Sequence, residues 1–507
     1  MPPTYSPLVT PSQTGDDRDP SAFGLREQNL RFILGLKLHN LRQERGLSLV
    51  QLSKGCGLSV SYLNEIEKGK KYPKSDKLLS LARALGVTYN ELVSADPGEK
   101  LRPIAALLTT RMIDDLPLEH YGISPPVLME IMAAGPDRLG ALLAFFGRLA
   151  TRFAFSVDDL LLAAVRDDLE AGNYHFPALE DRAVSLSTEI GWQAGHAPML
   201  SQVRFSLQRD YGWEIDEQSL GRHPDLADVG AVPVLTGSKP RLFLHPNLPE
   251  SRRAFFIARE IAATALGHYE KKRKQPNGEE HGFRHLRAAA DASYLGGALL
   301  IPRKILAADL QALFAEEKWS NVRLLDLVSR HGGDAEVVFH RMAQVLPDLG
   351  IGKRYLTRTE GGVGGAEAAV NRELRLGGIP EIKGSELREY RSRRTVATTL
   401  VTEAQADPVE PRAGVGLERC PSSGHTYLVM VVAQARPLHP QLISGMALGI
   451  ALDDTVRAKI RFLDDPAIAE QKLEESAASA ATQMNAYHQR TTARRAALDA
   501  FLASLNG

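Results

Sequence analysis

Lys68, Lys70 and Lys71 follow directly on the segment VSYLNEIE (60–67), joining a basic loop to a short polar helix. That pairing suits a polyanion: clustered ammonium groups neutralise phosphates, and polar or aromatic side chains on an adjacent helix reach base edges. Leu63 and Ile66, three residues apart, face inward and leave Val60, Ser61, Tyr62 and Asn64 on the outer face. The elements that must hold this face are legible on both sides. Ser48 is a good N-cap for a helix carrying Leu49 and Leu52 and ending at Gly55 or Gly57. Gly57 stands where a tight turn needs positive φ, Ser59 caps the next helix, and Leu78, Leu81, Ala82 and Leu85 supply a third wall. Between Arg26 and Leu92 there are 12 Lys or Arg against 6 Asp or Glu, whereas the whole chain balances 61 against 61. Leu47 to Leu92 therefore predicts a DNA-binding helix-turn-helix; a solvated basic face meeting a protein is the competing reading.

The arrangement resembles the XRE (lambda-repressor-like) regulators over residues 36–94, down to the Ser-Tyr-Leu-x-x-Ile-Glu-x-Gly wording of the second helix. Leu36, Leu41 and Arg42 lie on the helix before the motif. In such folds the second helix enters the major groove with its N-terminal residues at base edges. The resemblance makes Val60, Ser61 and Tyr62 the readout residues. Gln51, Asn64, Lys68, Lys70 and Lys71 would grip phosphates, which positions without specifying.

A second chemistry is suggested between residues 185 and 303. A helix over 201–210 and short strand-like pieces at 213–215, 232–235 and 241–244 precede RRAFFIAREIAATALGHYE (252–270) and AADASYLGGALLIP (289–302). This order resembles the ImmA/IrrE-type metallopeptidases, whose helix carries His-Glu-x-x-His and whose later helix adds an acidic ligand. Two imidazoles four residues apart share a helix face and hold zinc with that carboxylate, and the Glu between them is the general base. The resemblance places Arg259 at the first His, keeps Glu260, puts Ala263 at the second His and leaves Asp291 as the acidic position. A guanidinium repels a cation, so no metal and no catalytic residue are expected. His281 and His285 at i, i+4 spacing, with His268 nearby, offer a displaced site, but their charged, loop-like setting favours solvated side chains. The expectation is a zincin-like fold kept as a binding module.

At 507 residues, 44% apolar and 24% charged, the chain is long enough for two to four soluble domains. No apolar run reaches membrane-spanning length. Met1 to Ser21 lacks the basic start and apolar core of a signal peptide. The chain's two cysteines, Cys56 and Cys420, far apart in sequence, argue against a disulfide framework and a Cys-based zinc site. These features point to a cytoplasmic protein. Val127 to Leu169 reads as helical and apolar on more than one stripe, for burial or a dimer interface. The segment 324–349 outlines a second helix-turn-helix without the basic loop and is expected to be structural. Thr359 to Ala366 is Gly-rich, fails the dinucleotide pattern, and reads as a flexible linker.

From Gly414 the pattern changes to strands: VGLERC, TYLVMVVAQA (426–435) and SGMALGIALDD (444–454), with turn signals between. With ARPL, IRFLDDPAI (460–468), YGIS near 121 and NYHFPALED near 173, this resembles the short-chain fatty acyl-CoA responsive regulators, the ScfR family. One departure is the Ala- and Glu-rich stretch 471–505, where members often carry cysteines. The expected class is multidomain and mainly α: a disordered arm (1–25), the XRE helix-turn-helix (26–95), a helical linker or dimerisation region (96–183), an α+β zincin-like domain (184–358), a linker (359–410) and a C-terminal α+β domain with a helical tail (411–507). One such domain makes few base contacts, so a homodimer on a double-stranded DNA operator is expected, and the resemblance implies a short-chain acyl-CoA effector. It assigns no CoA pocket; Arg252, Arg253, Phe256 and Arg259 combine basic and apolar groups that suit one. No bound cofactor is expected. An antitoxin-type or phage-type repressor controlled by a protein partner is the alternative.

Overall fold

The computed structural model describes residues 27–94, 157–269, 282–379 and 395–471, with short breaks at 194–195, 237, 364–367, 420–424 and 469, and isolated positions such as 121–123 and 501. The expected arm (1–25), the linker at 96–102, most of the apolar stretch 127–156, Cys420 and nearly all of the tail 472–505 lie outside the described residues. The chain forms two compact units, one holding the N-terminal helices and the other running from Arg166 through the C-terminal sheet.

The first unit contains α1 (Glu27–Glu44), α2 (Leu49–Cys56), α3 (Val60–Glu67), α4 (Ser75–Leu85) and α5 (Tyr89–Val93). Leu38, Leu52, Leu63, Ile66, Leu81 and Leu85 close a common core at 1% exposure or less, enough apolar burial to hold five short helices that would be marginal alone. Helices α1 and α3 cross closely: a Cβ on Gly35 would stand 2.6 Å from the Ile66 carbonyl oxygen.

The second unit begins within α6 (Val157–Ala171) and continues with α7 (Pro177–Glu189), α8 (Leu200–Arg209) and a three-stranded sheet of β1 (Glu214–Asp216), β2 (Ala231–Val234) and β3 (Arg241–Leu244) in the order β1-β3-β2. Helices α9 (Glu250–Ala265), α10 (Phe283–Leu300), α11 (Arg303–Ala315), α12 (Asn321–Arg330) and α13 (Ala335–Val345) follow. The boundary expected at 183/184 falls inside α7 and is corrected. Glu180 of α7 is buried and accepts hydrogen bonds from Tyr294 Oη at 2.8 Å and Arg341 Nη2 at 2.7 Å, which fasten α7 to α10 and α13. The helix-turn-helix-like 324–349 is α12 and α13, and α13 is buried on most of its surface. No groove-facing side is left for it to read DNA.

The C-terminal sheet has six strands: β4 (Arg354–Gly362), β5 (Ala369–Leu376), β6 (Arg412–Arg419), β7 (Thr426–Arg436), β8 (His439–Ala451) and β9 (Glu470–Gln471), in the order β5-β4-β8-β7-β6-β9. Pairing is antiparallel except between β6 and β9. The linker expected at 359–410 is therefore corrected. Thr359 to Gly362 ends β4, and the segment also supplies β5 and α14 (Val396–Ala406). Gly361 is a strand residue where close packing leaves no room for a side chain: a Cβ there would lie 2.3 Å from Gln405 Nε2. Val401 and Ala404 of α14 pack on Val429, Val431 and Ala447, while α13 lies against β4, β7 and β8. Burial on both faces explains why β7 is apolar without alternation. Phe501 of the expected tail is 1% exposed and packs edge-on to Phe243 of the small sheet, ring centroids 5.4 Å apart.

Candidate nucleic-acid interface and a degenerate peptidase site

The turn that aims α3 is fixed by local capping. The Ser48 hydroxyl accepts from the Gln51 backbone N–H at 3.2 Å, and the Ser48 N–H donates to Gln51 Oε1 at 2.7 Å. Gly57 takes φ +72°, a conformation costly for any residue with a Cβ. The Ser53 hydroxyl donates to the Leu58 carbonyl at 2.6 Å, bracing the turn, and Ser59 caps α3 through the Tyr62 N–H at 3.2 Å. Val60 and Ser61 are exposed at the start of α3, and Asn64 is half-buried.

The structure brings Val60, Ser61, Tyr62, Asn64, Lys68, Lys70 and Lys71 onto one helix and its following loop, with differences that spacing did not reveal. Gln51 spends its carbonyl oxygen on the Ser48 cap, so only its amide nitrogen remains for a phosphate. Tyr62 is half-buried against the core, and Lys77 Nζ stands 4.4 Å from its ring centroid. Its expected outward position is thus only partial. Lys71 Nζ is 2.8 Å from Glu65 Oε2, which offsets part of its charge and raises its pKa through that hydrogen bond. Lys77 was missed because it lies ten residues beyond α3 in sequence, on α4, and nothing in its local pattern points to Tyr62.

Glu67 of the motif has a structural task. Arg42 Nε and Nη2 donate to its two oxygens at 2.6 and 2.9 Å, and His39 Nδ1 lies 2.9 Å from Oε2. Burial alone would raise the Glu67 pKa, but the hydrogen bonds from Arg42 and His39 hold it below the ordinary carboxylate value. This buried cluster bolts α3 to α1 and so fixes the angle of the recognition face.

In the second unit, α9 presents Arg259, Glu260 and Ala263, all buried. Arg259 Nη2 donates to Glu260 Oε1 at 2.7 Å and its guanidinium lies 5.1 Å from the Phe256 ring centroid. Tyr269 Oη donates to Glu260 Oε2. Both oxygens of the would-be general base are thus engaged, one by a cation. Asp291 on α10 accepts from Arg287, which also reaches Asp168; burial pushes the Asp291 carboxyl up. Every acidic group of the inherited site is tied by an arginine, and the donor set does not fit zinc. No group of three or more His, Cys, Asp or Glu placed to hold a metal occurs among the described residues; His281 lies outside them.

The four residues named for an effector are separated. Arg252 and Phe256, one turn apart, border one cavity. Arg253 turns to the Pro246 carbonyl at 2.5 Å, and Arg259 is held by Glu260. Arg252 is itself buried, bound by Asp334 through Nε and by Glu336 Oε2 at 2.6 Å through Nη2.

Comparison with known proteins agrees with both regions. A helix-turn-helix family model matches residues 38–92, and an IrrE N-terminal-like domain model matches residues 217–342. No curated protein matches the chain. A solved Mycobacterium tuberculosis transcriptional regulator is 19% identical, with a TM-score of 0.42, covering 63% of this chain and 92% of that one. No described helix is long and apolar enough to cross a membrane.

Proposed function

We propose that the protein is a sequence-specific DNA-binding transcriptional regulator that acts in the cytoplasm as a homodimer and responds to a short-chain acyl-CoA. The observation that carries the DNA-binding reading is the capped, cross-bolted α3 with Val60 and Ser61 exposed beside Lys70 and Lys71. Dimerisation is supported by contact arithmetic: one such domain touches few base pairs, and two half-sites roughly double the specific free energy. Loss of peptidase activity is supported by Arg259 at the metal position and its ion pair with Glu260. The effector reading rests on the resemblance to the ScfR regulators over the middle and C-terminal regions.

An effector shifts DNA binding only by favouring one of two conformations. The full chain should therefore change its operator affinity when acyl-CoA is added, while a fragment ending near Pro97 binds weakly and does not respond. Gel-shift titration with acetyl-, propionyl- and butyryl-CoA tests this. No response of the full chain up to millimolar thioester would end the acyl-CoA reading and favour control by a protein partner.

A further inference from the structure

Between α9, α13 and the β7–β8 end of the large sheet lies a cavity of about 60 Å³. Leu248, Phe256 and Met446, each 5% exposed or less, make an apolar wall. Across from them the lining is polar: Arg252, Gln434, Arg436 and Ser444. The Gln434 amide and the Ser444 hydroxyl have no hydrogen-bond partner among the described residues. Arg436 has one ion pair, Nη1 to Glu360 Oε1 at 3.2 Å, leaving its other donors unused among those residues.

Two irregularities of the sheet serve this region. The β7–β8 register shifts between Ala435 and Arg436, and the β4–β5 register shifts between Arg358 and Thr359. Bulges re-aim side chains and cluster near functional sites; here each adjoins an arginine that pairs with Glu360. Burial lowers the Arg436 pKa, with Glu360 and Glu336 acting against that shift and Arg358 and Arg252 acting with it.

We propose that this cavity binds a short-chain monocarboxylate of about two to four carbons, its carboxylate on Arg436, Gln434 and Ser444 and its alkyl end against Phe256, Leu248 and Met446. The arginine fork matches a carboxylate in geometry. A dianion is disfavoured because Asp228 and Glu336 border the same cavity. The contacts proposed here involve no part of a CoA group, so the site stands or falls independently of the acyl-CoA reading.

The test is calorimetric titration of the full-length protein with acetate, butyrate, succinate and inorganic phosphate. Acetate and butyrate should bind saturably at one site per chain, at least tenfold tighter than succinate or phosphate. Arg436→Gln should weaken butyrate binding at least tenfold. Ser444→Ala, which removes the hydroxyl and adds no bulk, should weaken it severalfold and covers the case in which the arginine variant does not fold. Absence of saturable carboxylate binding at tens of millimolar overturns the proposal. So does equal binding of succinate or phosphate, or butyrate binding that folded variants leave unchanged.

Discussion

Replacing Lys68, Lys70 and Lys71 together with Ala should flatten the salt dependence of DNA binding by less than a count of lysines suggests. Each phosphate contact on duplex DNA contributes about 0.9 to the slope of log affinity against log salt. Three independent contacts would give a change near 2.7 by the same rule. Lys71, however, lies 2.8 Å from Glu65 Oε2, so its charge is already partly matched. The expected change is therefore close to two contacts, about 1.8 slope units, roughly a tenfold smaller loss of affinity between 50 and 200 mM salt. The effect should appear equally on operator and random duplex, since phosphate contacts carry no sequence. The companion variant Glu65→Gln releases Lys71 and should steepen the slope by up to about one unit. Fluorescence-anisotropy titrations at four or more salt concentrations supply both numbers. An unchanged slope in the triple variant would show that the basic loop is not at the DNA backbone. A full change near 2.7 slope units, with Glu65→Gln silent, would show that the Glu65–Lys71 pair does not persist.

Glu67→Ala removes one partner of a buried ion pair and should cost about 3–5 kcal/mol of stability in the N-terminal domain; chemical denaturation checks it, and a loss under 1 kcal/mol would mean the cluster does not lock α1 to α3. Because the Glu67 pKa is depressed from 4.5, its contribution is complete above that value and disappears as pH falls through the lower folded value; melting followed from pH 7 to pH 3 should show the loss only at the acid end. Purified protein should carry far less than one zinc per chain, and chelator should change neither melting nor DNA binding; stoichiometric zinc by elemental analysis would refute the degenerate-site reading. Ser61→Ala should alter operator preference by about 1–3 kcal/mol at one base pair while leaving non-specific affinity unchanged, as competition among operator variants would show.

The N-terminal domain was legible because each of its determinants is local. Ser48, Gly57 and Ser59 act on backbone groups within three or four residues, and Leu63 and Ile66 report one helix face by spacing alone. What escaped was non-local charge. Glu65 meeting Lys71, Lys77 lying on Tyr62, and Glu67 meeting Arg42 and His39 each join elements whose approach no periodicity encodes.

The strands from Gly414 onward were legible from their apolar runs, but the linker expectation over 359–410 failed for a related reason. TEGGVGGA has the composition of a flexible linker, and only the proximity of Gln405 and Val401 makes Gly361 a packing requirement rather than a source of freedom. Glycine is ambiguous in sequence because one missing Cβ serves two opposite purposes: positive φ in a turn, as at Gly57, or close approach in a sheet, as at Gly445, where a Cβ would lie 2.6 Å from Val401 Cγ2. The degenerate site shows the converse. Arg259 beside Glu260 is readable as a dismantled zinc site only through the resemblance that places Arg259 at a ligand position. Its consequence for packing is not readable. Tyr269 and Phe256 converge on the Arg259–Glu260 pair from opposite sides in sequence, making it part of a buried network on α9.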